Sequence, residues 1–122
     1  MRYTVTAILI LISLIGFTQE RHIEQSQPFE NILLALKTDS VPLFIESFSK
    51  RIIEDKKEKM SWENRLDSGK GKFQERFGDY ELTDFTYEFQ KGNLMLIIYF
   101  KGEMTIEMPI VKENRKWRLD MH

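Results

Sequence analysis

Asn93-Leu94-Met95-Leu96-Ile97-Ile98-Tyr99-Phe100-Lys101-Gly102-Glu103-Met104-Thr105-Ile106-Glu107-Met108-Pro109-Ile110 is the stretch that decides the fold. Its first half is apolar on both faces, as a central strand covered on both sides would be. Lys101-Gly102 turns the chain, and apolar residues then alternate with polar ones from Met104 to Ile110, the period of a half-exposed strand. Two registers compete at this turn. A two-residue loop pairs Phe100 with Glu103 and puts glutamates on the apolar face. A three-residue loop of Phe100, Lys101 and Gly102, with Gly102 left-handed at a bulge, pairs Tyr99 with Glu103, Ile98 with Met104 and Leu96 with Ile106. The second unites the apolar residues, and because a one-residue slip inverts every side chain, it is the register expected. Pro109 is expected near the end of its strand. Glu113-Asn114-Arg115 turns again into a last strand with Trp117 and Leu119 inward and Arg118 and Asp120 outward.

Upstream, Phe85, Tyr87 and Phe89 alternate with Asp84, Thr86 and Glu88, which adds a half-buried strand before the Lys91-Gly92-Asn93 turn. Four strands in a meander follow. Before them the period is 3.6: Pro28 suits a first helical turn, and Phe29, Ile32, Leu33 and Leu36 share one stripe. Asp39 or Ser40 can cap a second helix whose buried face is Phe44, Ile45, Phe48 and Ile52. From Glu54 the pattern weakens. Met60, Trp62 and Asn64 alternate with Ser61, Glu63 and Arg65, which allows a strand, and Ser68-Gly69-Lys70-Gly71 reads as a turn before a short helix carrying Phe73 and Phe77 and closed by Gly78. The expectation is an α+β domain with its N-terminal helices packed on a curved, antiparallel four-stranded meander.

The chain has 122 residues, enough for one domain with a single core. Arg2, an apolar run from Val5 to Phe17 and the polar residues from Thr18 have the layout of a signal peptide, and the run is shorter than the roughly 20 residues a membrane span needs. The expected organisation is a signal peptide at 1–18, a flexible lead-in at 19–27 and a single domain at 28–122. This implies export to a periplasmic or extracellular space, with the membrane met only through the leader. The absence of cysteine excludes a lipoprotein anchor and disulfides. A net charge of −1 with mixed signs gives no reason to expect a nucleic-acid partner.

The breaks and closing motifs carry a resemblance. Leu36-Lys37-Thr38-Asp39 between the first helices, Phe77-Gly78-Asp79-Tyr80 before the strands and the terminal Trp117-Arg118-Leu119-Asp120 resemble the nuclear transport factor 2-like superfamily, a cystatin-like fold, especially its small secreted bacterial members. The resemblance covers Phe29 to Asp120. It implies a cone between helices and curved sheet, and often a homodimer through the sheet face. That superfamily includes isomerases, dehydratases, ligand binders and protein-binding modules, and none of its catalytic signatures carries over residue by residue, so fold alone does not give function.

The residues that could carry chemistry are few. Asp84 as a general base and Tyr87 as a polar handle in a cavity are the nominees of an acid-base reading, although the parity of Asp84 turns it away from the aromatic face. Met95, Ile97 and Tyr99 form a second sheet face, a candidate surface for a ligand, a partner or a second copy. Trp62 is a candidate anchor. His22 and His122 lie near opposite ends with no cysteine, so neither a metal site nor a Ser-His-Asp arrangement is indicated, and no cofactor motif occurs. The sequence thus favours a non-enzymatic exported domain that binds a small apolar ligand or an envelope protein, with a small isomerase or dehydratase as the alternative.

Overall fold

A computed structural model describes residues 20–56 and 61–121; the expected signal peptide and the start of the lead-in lie outside them. Among the described residues the chain is α+β, with α1 Gln27–Thr38, α2 Val41–Glu46, α3 Lys50–Lys56 and α4 Trp62–Phe77 ahead of β1 Phe85–Gln90, β2 Met95–Phe100, β3 Glu103–Glu113 and β4 Lys116–Leu119. The four strands form one antiparallel meander in the order β1-β2-β3-β4. No helix among the described residues is long and apolar enough to cross a membrane.

Helix α1 forms as its stripe dictates. Phe29, Ile32, Leu33 and Leu36 are all buried. Asp39 ends the helix at φ 55, its N–H donating to the Ala35 carbonyl. The Ser40 hydroxyl then accepts from Leu43 N at 3.3 Å and caps α2. The helix expected to run on through Phe48 and Ile52 is instead two helices. Phe48 leaves the first to form a parallel bridge with Leu119, through Leu119 N to Ser47 O and Ser49 N to Leu119 O, both 2.8 Å. This covers the β4 edge, whose open backbone groups outweigh the continuation of a helix.

The middle of the chain departs further from expectation. Met60 lies outside the described residues, but there is no strand at 61–65 and no turn at Ser68–Gly71, because α4 starts at Trp62 and runs through to Phe77. Ser61 caps it, accepting from Asn64 N at 3.1 Å. Trp62, Leu66, Phe73 and Phe77 recur on the face turned to the core. Two glycines are tolerated because tertiary packing overrides propensity. At Gly69 an added Cβ would lie 3.2 Å from Leu36 Cδ2, so that residue sets the approach of α4 to α1. Gly71 has nothing within 4 Å. Gly71→Ala is therefore expected to stabilise the protein by about 1 kcal/mol, read as a higher urea midpoint with unchanged slope; a lower midpoint would mean that this turn of α4 is not helical in solution.

The register at Lys101-Gly102 is a correction. Lys101 and Gly102 have φ of 51° and 87°, the double positive φ of a two-residue type I′ hairpin, and Phe100 pairs with Glu103 and Tyr99 with Met104. The register then shifts by one, so that Ile98 pairs with Ile106 and Leu96 with Met108. The apolar residues are united, as core burial requires, but by a bulge at Thr105 and not by a longer loop. Arg76 at the end of α4 donates to the Thr105 carbonyl at 2.7 Å. Met104 consequently sits outside the core, 57% exposed. Pro109 lies within the long β3, opposite Met95. Its carbonyl accepts from Asp120 N, just beyond β4, so the ladder bond its nitrogen cannot make is a terminal one.

Candidate functional site

The space beneath the Phe85-Tyr87 face is filled. Phe29 is fully buried, with ring centroids 5.4 Å from Phe85 and 6.0 Å from Tyr87, both edge to face. Tyr87 is likewise fully buried, and its hydroxyl donates to Glu30 Oε2 at 2.7 Å. Glu30 Oε1 meets Arg21 Nη1 at 3.0 Å and His22 Nδ1 at 3.4 Å. Burial, then the bond to Glu30 and its charge, raise the Tyr87 phenol far above its ordinary value. Glu20 adds two backbone bonds to Tyr87, of 2.7 and 2.8 Å. The residues just before α1 are thus held against β1 by one tyrosine and one carboxylate.

Glu30 is the functional-looking residue that the helical pattern hid. It stands beside the apolar stripe, in a first turn where an acidic residue is ordinary. The usable signal was Tyr87, since a tyrosine on a buried strand face needs an acceptor.

Asp84 and Tyr87 are not brought together. Asp84 ends a 3₁₀ turn at Leu82–Asp84, and its Oδ2 accepts from Glu81 N at 2.9 Å. Trp62 is half-buried, packed with Phe44 and Phe48 at centroid distances of 5.9 and 5.6 Å on the helical side. It does not reach the outer sheet face. There Ile97 is buried, Met95 and Tyr99 are half-buried, and the Tyr99 hydroxyl donates to Glu88 Oε1 at 2.8 Å.

Burial, followed by that hydrogen bond and the Glu88 charge, pushes the Tyr99 phenol up to about 12. A phenol kept neutral by the fold supports stability fully below about 10, the ordinary tyrosine value. That support is lost as pH rises through about 12. An ultraviolet titration is expected to show Tyr99 ionising late, and Glu88→Gln to bring its midpoint down; an unchanged midpoint would remove Glu88 as a cause.

An apolar recess does exist, farther along the sheet than Tyr87. Ile32 and Leu36 of α1, Phe44 of α2, Phe73 of α4, Met108 of β3 and Leu119 of β4 are among the residues around a space of about 140 Å³, with Phe48, Gly69 and Met121 completing it. No polar side chain lines it. Gly69 stands in its wall, where an added Cβ would lie 3.2 Å from Leu36 Cδ2. Periodicity marked most of these residues as core, but the gap between them depends on how three helices meet the sheet. Among the described residues no group of His, Asp and Glu side chains could hold a metal ion. The chain matches no known protein family, no curated protein and no solved structure.

Proposed function

We propose that this domain is a non-enzymatic binding module for a ring-sized apolar molecule, taken into the recess between Leu36, Phe44, Phe73, Met108 and Leu119. The wholly apolar lining of a space of about 140 Å³ supports it. Dry cavities of similar size, near 150 Å³ and lined by Leu, Ile and Phe, take up benzene because the walls gain contacts that water cannot supply. The proposed likeness to the nuclear transport factor 2-like superfamily agrees with a binding role, as do export and pairing of copies through the outer sheet face, which we keep as parts of the same proposal. The acid-base alternative draws no support from Asp84 and Tyr87, whose polar atoms serve Glu81 N and Glu30.

The test is a thermal-shift titration of the protein with benzene and indole. At tenfold excess over Kd, binding adds about 1.4 kcal/mol, roughly 6 °C or more in a domain of this size. Gly69→Ala grows a methyl group toward Leu36 and narrows the recess; measured from the variant's own ligand-free melting temperature, the shift is expected to shrink. Equal shifts in both proteins would place the ligand elsewhere, and no shift would end the proposal.

A further inference from the structure

We propose that a second, polar cleft at the β3–β4 hairpin binds a small anion with a flat apolar body, of the aryl carboxylate or aryl phosphate class. The cleft is a separate site from the apolar recess. Its volume is about 360 Å³, within the usual range for small-molecule sites. Its walls come from two distant parts of the chain, with His22, Gln27 and Asn31 on one side and Arg115, Trp117 and Arg118 of the hairpin on the other.

Charge selects an anion. Three cations, Arg115, Lys116 and Arg118, line the cleft together with two carboxylates, Glu24 and Glu46. Both carboxylates are engaged, Glu46 with Lys116 and Glu24 with Lys112, each at 3.5 Å. The Arg118 guanidinium donates to the main-chain carbonyl of Glu46 and so keeps its charge without a carboxylate counterion. Arg115 makes no hydrogen bond or ion pair among the described residues. Neither guanidinium has a carboxylate counterion among the described residues, and a guanidinium is the planar fork that carboxylates and phosphates fit.

The flat body follows from Trp117. Its ring is held edge-on by Phe89 at a centroid distance of 5.3 Å. Its indole N–H is buried without an acceptor among the described residues. On the facing side the Gln27 amide donates to Asn31 Oδ1 at 2.8 Å, which orients both side chains along the rim.

The hairpin backbone points the same way. Asn114 and Arg115 have φ of 49° and 68°. Glycine is the favoured residue at the second of these positions, and an arginine there is strained. The strain places a free cation beside the tryptophan, at a site where stability alone would select glycine.

The experiment is an NMR titration of the full chain with benzoate and phenyl phosphate, followed on the Trp117 indole and Arg115 amide resonances. Benzamide is the uncharged control and inorganic phosphate the control without a ring. Saturable shifts with both aryl anions are expected, with benzamide and inorganic phosphate each at least tenfold weaker. Arg115→Gly is expected to weaken benzoate at least tenfold while leaving the melting temperature unchanged or higher, a combination that a structural role for Arg115 would not give. Arg115→Lys, retaining the charge but not the fork, should fall between. Benzamide or inorganic phosphate binding as well as the aryl anions, undiminished binding by Arg115→Gly, or no saturable shift with either anion would each overturn the proposal.

Discussion

Replacing Phe29 with alanine is expected to cost about 3–5 kcal/mol, the range for removing a fully buried aromatic ring. The upper part of that range applies because the ring's neighbours cannot close the gap. Phe73 belongs to α4 and Phe85 and Tyr87 to β1, at centroid distances of 6.1, 5.4 and 6.0 Å. Each is tied to its own element, by helix bonds in one case and by the ladder to β2 in the other. A domain of this kind has only about 5–15 kcal/mol in total, so the loss would appear as a large drop in urea midpoint. Leu34→Ala, in the same helix but 43% exposed, should change stability by no more than about 0.5 kcal/mol. Similar losses from the two variants would mean that the helix does not dock by its Phe29 face.

The second large effect concerns the carboxylate next door. Glu30→Ala is expected to cost about 2–3 kcal/mol, chiefly because the Tyr87 hydroxyl is left buried with no acceptor. The Arg21 pair adds little, since its guanidinium lies near the surface. Glu30→Gln keeps an acceptor oxygen and should cost about half as much. The decisive variant is the double one, Glu30→Ala with Tyr87→Phe. Removing both partners relieves the orphaned donor, so the double variant should be more stable than the sum of the singles predicts by at least about 1 kcal/mol. Additive losses in a urea double-mutant cycle would show that the 2.7 Å bond of the structure carries no coupling in solution.

These two neighbours also show how far the sequence could be read. Phe29 was legible because an apolar stripe at helical spacing has one physical outcome, burial against whatever the helix meets. Glu30 was not, because its role depends on a tyrosine 57 positions away. The same division holds elsewhere. Asp39 and Ser40 mark the first helix boundary with local chemistry, whereas the break at Phe48 answers to the backbone of Leu119. Trp62 alternates with its neighbours as a strand residue would, yet Ser61 caps a helix there and packing on Phe44 and Phe48 keeps it.

The candidate sites were less legible than the fold. Met95, Ile97 and Tyr99 do form a shared outer face, but Tyr99 is tied to Glu88, and Asp84 to Glu81. The apolar recess and the hairpin cleft are gaps between elements, and a gap has no residue pattern of its own. Arg115 did leave a trace, since Asn114-Arg115 stands where an Asn-Gly pair would make the easier turn.

By itself the sequence determined the α+β class, the strand meander, the first helix, the cap that starts the second and the absence of disulfides. Each of these rests on periodicity, turn chemistry or composition, forces that act within a few residues. The tertiary structure decided the register after Gly102, with its bulge at Thr105 closed by Arg76, the splitting of the second helix, the course of α4, the Tyr87–Glu30 bond and the two clefts. These depend on which backbone groups and side chains from distant segments must be satisfied together, a condition that no local window of the chain contains.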